Sequence, residues 1–268
     1  VALLVGDIPP LAFEVAAALE VPGIALGNFS WDWIYEPYVA DLPEHAPLVE
    51  AMRKSYGRAD LLLRLPLHAG MDVFPRIEDI PLVVRHASRD RGATRQALGL
   101  ARETRPVVLV SFGGFAAVRF GSGATPDPGD FRFITFGESV PGLPADTVRL
   151  PIDHPHRHED LVAAADAVIT KPGYGTVAEC LASRTPFLYT SRDDFREYEL
   201  LVREIARHAH AGFLGREDLL QIRWRVALEA LLSSRQRWAD LRVDGADVAA
   251  ERLLQLAADR WKHAGTVC

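Results

Sequence analysis

Lys171, Gly173, Tyr174, Gly175, Thr176 and Glu179 are the residues whose types and spacing best suit the holding of an anion. They belong to Asp166-Ala-Val-Ile-Thr-Lys-Pro-Gly-Tyr-Gly-Thr-Val-Ala-Glu179, which reads as a buried strand that breaks into a glycine turn and then opens a helix. Ala167 to Thr170 are apolar or β-branched, Lys171 to Gly173 end the strand, and Thr176 stands where an N-cap or first-turn residue would bind the freed amides. Glycines let a ligand approach the backbone, and a helix N-terminus favours negative charge. Glu179 lies three residues beyond Thr176, the spacing of a capping box, so this segment alone fits a phosphate cradle and a capped structural turn equally well.

A second glycine feature, Ser111-Phe112-Gly113-Gly114, follows the apolar run Pro106 to Ser111. In a doubly wound sheet the carboxyl ends of such strands share one crevice, so two backbone segments and a helix N-terminus could surround one diphosphate. Neither glycine cluster matches the three spaced glycines of the dinucleotide fingerprint. Neither has the P-loop's glycine followed by Lys and then Ser or Thr. Hydride transfer and ordinary ATP hydrolysis are thereby disfavoured. His154, His156 and His158, with Asp153 and Glu159 beside them, invite a metal. They alternate around a proline with no second ligand cluster elsewhere, so neither a metal nor a resident cofactor is expected.

The elements that must position these residues alternate between strand and helix. Val1 to Val5 reads as a strand, Leu11 to Leu19 as a short amphipathic helix and Ile24 to Gly27 as a second strand, a βαβ unit whose ligand side is the strand carboxyl ends. Asn28-Phe29-Ser30-Trp31-Asp32-Trp33-Ile34-Tyr35 packs aromatics among small polar groups at that edge, either lining a cleft or plugging the core. A helix is expected over 44–59, a strand over 60–65 and a proline-punctuated irregular stretch as far as Val84. A fresh helix at 89–98 and the strand 106–111 set a domain boundary near residue 85. Beyond it come strands at 131–136, 147–150, 167–170 and 185–190, and helices at 161–165, 175–183, 196–209, 216–232 and 246–261. The fold class is α/β, with two doubly wound domains at 1–84 and 85–268.

The 268 residues are 49% hydrophobic and 25% charged with a formal net charge of −6, a composition that gives no electrostatic footprint for nucleic acid or an anionic membrane. Two cysteines, Cys180 and Cys268, imply no disulfide framework. With no apolar run of membrane-spanning length and no signal segment in view, a cytoplasmic location is expected. The chain opens on a buried-type strand without methionine, so its beginning is expected to be missing.

Asn28 to Tyr35, Arg64-Leu65-Pro66, Ile80 to Arg85, Phe112-Gly113-Gly114, Lys171 to Thr176 with Glu179, and Pro186-Phe187 followed by Arg192-Asp193 resemble glycosyltransferase-like proteins related to the N-terminal region of plant L-arabinokinase. That resemblance runs through most of the chain. More distantly, residues 107–200 are similar to the nucleotide-sugar domain of GT-B glycosyltransferases of the MurG kind. The resemblance implies two Rossmann-like domains, the first cut short at its N-terminus, with an acceptor on the first and a nucleoside-diphosphate sugar on the second, most simply a UDP-sugar. Gly113 and Gly114 would approach the diphosphate, Gly175 and Thr176 would donate to it, and Lys171, Gly173 and Tyr174 would stand beside them. Glu179 would accept from the ribose hydroxyls, the backbone from Leu150 to Ile152 would frame the base, and the histidine loop would lie next to it. Asp193 and Glu197 fall where such enzymes carry an acidic residue followed by glutamine for the sugar hydroxyls; here Arg196 and Glu197 replace the amide. Asp7, Asn28, Ser30, Trp31 and Asp32 would form the acceptor side. The Gly-His-Gly-like loop expected in full-length relatives has no counterpart here, so the catalytic base is unassigned. Asp7 and Asp32 sit at strand ends, where a carboxylate is more often a turn or cap residue.

These readings favour a glycosyltransferase acting on an unidentified acceptor. A non-catalytic nucleotide-sugar-binding regulatory module and a sugar-nucleotide epimerase are the alternatives.

Overall fold

A computed structural model describes residues 1–112, 125–137, 140–192 and 195–264, with side chains as far as 259. The chain forms two units, 1–83 with 195–200 and 242–268, and 84–194 with 201–241.

The first unit is built on β1 (Leu4–Gly6), β2 (Gly23–Gly27), β3 (Leu61–Arg64) and β4 (Ile77–Asp79), all parallel in the order β1-β2-β3-β4. Between them run helices α1 (Pro10–Ala18), α2 (Trp31–Tyr35) and α3 (Ala46–Tyr56). Alternation along the strands sorts their side chains. Ala25 and Leu62 pack with Phe13, Tyr56, Met71 and Phe74, whereas Ile24, Leu61 and Leu63 pack with Ile80 and Ala249. Both faces are apolar and covered, as a parallel sheet requires. β4 lies in the stretch expected to be irregular. Its sequence Ile-Glu-Asp carries no apolar run, and pairing with β3 through Leu62↔Ile77 makes it a strand.

Helix α4 (Arg91–Ala97) leads into the second unit's sheet, whose strands are β5 (Val107–Ser111), β6 (Arg132–Phe136), β7 (Val148–Leu150), β8 (Ala167–Thr170), β9 (Phe187–Tyr189) and β10 (Ala211–Phe213). The order β10-β9-β8-β5-β6-β7, all parallel, reverses direction between β5 and β8. Helices α5 (His158–Ala164) and α6 (Tyr174–Ser183) pack together, and α4 packs on α5. Val108, Val110, Phe133, Ile169 and Leu188 form one core with Trp224, Leu228 and Leu231. The opposite parity, Leu109 and Ser111, turns toward α5.

α7 (Glu197–His208) precedes β10, and α10 (Gly245–Ala264) closes the described chain. The helix expected over 216–232 is instead two, α8 (Arg216–Leu220) and α9 (Arg225–Ser233). Ile222 adopts φ 55° and Trp224 is fully buried, its indole N–H donating to the Leu219 carbonyl at 3.1 Å. Sinking that ring into the core breaks the helix at the junction. α5 begins at His158, three residues before the start expected. No helix among the described residues is long and apolar enough to cross a membrane.

Candidate functional site

The carboxyl ends of β5 and β8 flank the point where strand order reverses, the place where open α/β sheets leave a crevice. Ser111 ends β5 and Thr170 ends β8, paired in register. From Thr170 the chain turns through Lys171, Pro172 and Gly173 into α6. Gly173 is the N-cap with extended backbone (φ −144°, ψ 147°), and as a glycine it supplies no side-chain cap bond. Tyr174, Gly175 and Thr176 are therefore the first three helical residues, whose N–H groups have no acceptor within the helix. Thr176 lies in the first turn as expected, but the helix starts too early for Thr176 and Glu179 to form a capping box. A Cβ built on Gly173 or Gly175 would meet no described heavy atom within 4 Å. Neither packing nor a positive φ demands glycine at these two positions. What the glycines provide is open space in front of the helix N-terminus.

Lys171 is half-buried, and no carboxylate among the described residues lies within ion-pair distance. Burial, and then the charge of Arg192, lower its ammonium pKa from the usual lysine value. An unpaired cation held against that cost at a helix N-terminus suits an anionic ligand.

Glu179, on the second turn of α6, is buried to 2% side-chain exposure. Its Oε1 takes the guanidinium of Arg85, and its Oε2 lies 2.6 Å from Nδ1 of His158. Nε2 of His158 is 2.9 Å from the Ser111 hydroxyl. Ser111, His158, Glu179 and Arg85 thus form one hydrogen-bonded line across the crevice. Arg85 occupies its outer end at 61% exposure. The segment bearing Arg85 is tied down just beyond it: the amides of Ser88 and Arg89 donate to Asp160 Oδ1 at 2.6 and 3.1 Å. Burial alone would raise the Asp160 pKa, but these bonds and the Ser88 hydroxyl outweigh it and hold the carboxyl below its usual range.

Next to this line the rings of Phe136, His154, His156 and His158 lie nearly parallel. Centroids are 5.2 Å apart for Phe136 and His154, 6.4 Å for Phe136 and His158, and 5.9 Å for His154 and His156. Stacked imidazoles do not aim their nitrogens at one point, and no metal-holding group of three ligands occurs among the described residues. Burial, then the neighbouring His156 and His158, lower the His154 pKa. Ile152 is 87% exposed two residues past β7. Gly113, Gly114 and Asp193 lie outside the described residues.

At the first sheet's carboxyl edge the expected acceptor residues are largely engaged within their own unit. Asn28 is buried, and its carbonyl accepts from the Ala69 amide at 2.9 Å. The buried Ser30 hydroxyl donates to the Gly70 carbonyl at 2.8 Å. The Trp31 amide donates to Tyr56 Oη at 3.1 Å, and its ring stacks on Tyr35. Asp32 is buried, with Oδ2 3.3 Å from Arg53 Nε and Oδ1 unpaired. Asp7 is exposed at the end of β1. Ile8 adopts φ 65° and is held there by Gly27, where any Cβ would overlap it, and by Tyr56 Oη, which donates to its carbonyl at 2.8 Å. Glu197 is buried at the start of α7. Arg196 stacks over Trp33 at 4.5 Å and pairs with Glu36 at 2.9 Å.

Sequence reasoning did not single out Ser111, His158 and Arg85 as partners of Glu179. Strand parity for Ser111 and the helix start at His158 were the available signals.

Two parallel α/β sheets, the second in this reversing order, define two Rossmann-like units of the kind found in GT-B glycosyltransferases. Solved structures show the same fold. UGT89C1 of Arabidopsis thaliana complexed with quercetin matches with a TM-score of 0.57 at 17% identity, over 87% of this chain and 63% of that one. UGT2 of Phytolacca americana complexed with UDP-2fluoro-glucose and pterostilbene gives 0.59 at 12% identity, over 96% and 70%. The glycosyltransferase VinC in complex with dTDP gives 0.54 at 16%, over 96% and 68%. In sequence the chain is distantly related to L-arabinokinase of Arabidopsis thaliana, with 32% identity over 260 residues, 96% of this chain and 24% of that protein. The chain therefore spans about a quarter of that relative's length. No family model matches.

Proposed function

We propose that this chain binds a nucleoside-diphosphate sugar, most simply a UDP-sugar, at the β5/β8 crevice and acts in transfer of the sugar to an acceptor hydroxyl. The observation that carries the reading is the start of α6, where two glycines meet no contact among the described residues and Lys171 has no acidic partner among them. There the diphosphate accepts from the amides of Gly175 and Thr176, with Lys171 beside it; Gly113 and Gly114 remain candidates for the same ligand. Glu179 accepts from the ribose hydroxyls once the exposed Arg85 moves aside, and the ring stack with the Leu150 to Ile152 backbone borders the base. Asp193 and Glu197 remain candidates for the donor sugar. Asp7, Asn28, Ser30, Trp31 and Asp32 remain candidates for the acceptor side, with Asp32 the buried carboxylate that has an oxygen to spare.

In the transfer, helix N-terminal amides stabilise charge developing on the departing diphosphate, and a base removes the acceptor's proton. Calorimetric titration with UDP, followed by assay of UDP release from UDP-sugars, tests this. Micromolar binding that weakens at least tenfold in Glu179→Ala is expected. Absence of binding to UDP and to other nucleoside diphosphates would contradict it. A non-catalytic nucleotide-sugar-binding module is the second reading. It is favoured by the commitment of Arg196 to Trp33 and Glu36, at the place where an amide would hold the sugar. Binding without turnover is its signature.

A further inference from the structure

The line Arg85, Glu179, His158, Ser111 has a definite proton inventory. Glu179 faces His158 Nδ1 at 2.6 Å and an arginine on its other oxygen, so it is an ionised acceptor and Nδ1 carries hydrogen. The question left is Nε2, 2.9 Å from Ser111 Oγ. With neutral imidazole, Nε2 accepts, and the single hydroxyl hydrogen of Ser111 is committed to it. Ser111 can then offer a ligand only lone pairs. With imidazolium, Nε2–H donates to Oγ, and the Ser111 hydrogen is free to point into the crevice. The phosphoryl oxygens of a diphosphate esterified at both ends are ionised and only accept, so Ser111 donates to such a ligand only in the second state.

We propose that a diphosphate at the β5/β8 crevice binds the imidazolium form of His158, taking up a proton from solvent as it binds. This rests on the nucleotide-sugar reading above. No bond between heavy atoms is made or broken: a solvent proton adds to Nε2, the Ser111 hydrogen turns from Nε2 to a phosphoryl oxygen, and Glu179 stays ionised against Nδ1–H. His158 is a positioning residue that acts through Ser111.

The groups around His158 leave room for that charge. Without ligand Glu179 and Arg85 offset each other, and once Arg85 moves aside Glu179 faces the imidazolium directly; Arg157 is paired with Glu159 at 2.6 Å. On the elements packed against α5, Arg91 and Arg95 are committed to Asp166 and to the carbonyls of Ala165 and Ala164, and Asp160 to Ser88 and Arg89. His154 and His156 stack alongside, with the face of Phe136 over His158.

The test is calorimetric titration of the whole chain with UDP-glucose, whose diphosphate does not itself titrate near neutrality. It is run in two buffers of different ionisation enthalpy between about pH 6 and 8.5. Net proton uptake is expected, with affinity falling toward tenfold per pH unit on the alkaline side. His158→Gln keeps an N–H donor beside Ser111 but cannot titrate, so it is expected to bind with a flat pH profile and no uptake. A folded Ser111→Ala variant is expected to bind about tenfold more weakly. Binding to the wild type without proton uptake, or uptake that persists in His158→Gln, overturns the inference and leaves the nucleotide reading standing. Failure to bind UDP and UDP-glucose at any pH removes both.

Discussion

Gly70 and Gly175 lie beyond the carboxyl ends of parallel strands, one in each sheet, and their surroundings differ sharply. Gly70 has φ 61°, and a Cβ there would stand 2.0 Å from the Trp33 ring. Its carbonyl takes the Ser30 hydroxyl, while Trp33 is covered by Arg196. Gly175 has no described heavy atom within 4 Å of where a Cβ would be, and its helix has a glycine N-cap that offers no side-chain bond. The first edge is filled by its own aromatics and ion pairs. At the second, no described residue packs against Gly173 or Gly175 in front of the backbone donors. In the first a glycine is needed by the fold; in the second no described neighbour requires one, as the proposed ligand site would have it.

Substitution at the filled edge should have the largest effect. Gly70→Ala combines a left-handed backbone with direct overlap on Trp33 and is expected to cost about 3 kcal/mol, read as a lowered urea midpoint. A cost under ~1 kcal/mol would mean that Trp33 moves freely and the edge is not tightly packed.

A smaller, graded effect belongs to acid. Asp160 and Asp166 in the second unit both have pKa values held below the usual range; in each, burial opposes the shift and is outweighed, for Asp160 by the Ser88 and Arg89 amides and the Ser88 hydroxyl, for Asp166 by the Val107 amide and Arg95. A depressed folded-state pKa contributes stability above the unfolded value and loses it as pH falls through the folded value. Unfolding midpoints should therefore decline below about pH 4, with β5 and α5 losing hydrogen-exchange protection together. A midpoint that holds level from pH 5 to about pH 2 would show that these bonds do not anchor the crevice.

Much of the architecture could be read from local pattern. Ala167 to Thr170, apolar and bounded by Asp166 and Lys171-Pro172-Gly173, is a strand with the expected limits, and its glycine turn enters a helix as expected. Ile77–Asp79 and Ala211–Phe213 were not legible, because three residues without an apolar run become strands only through pairing with β3 and β9. The single helix expected over 216–232 fails at Trp224, whose burial is a tertiary event that periodicity on either side does not reveal. Nothing in its pattern says which sheet α10 covers. At the candidate site the glycines and Glu179 stand out because one short segment holds them. Ser111 is 47 residues from His158, and Arg85 is 94 from Glu179. Only the parallel crossings of the sheet bring them into line, and spacing along the chain carries no trace of that.

The open edge is tested most directly by urea unfolding of Gly175→Trp beside the wild type, each with and without UDP. Without UDP the two midpoints are expected to agree within about 1 kcal/mol, because a Cβ at Gly175 meets no described heavy atom within 4 Å. UDP at a hundredfold excess over its dissociation constant is expected to stabilise the wild type by about 2.7 kcal/mol and the variant hardly at all. A variant that unfolds much earlier without ligand would make Gly175 a structural residue. One that UDP stabilises as fully as the wild type would place the nucleotide elsewhere, and either result contradicts the account.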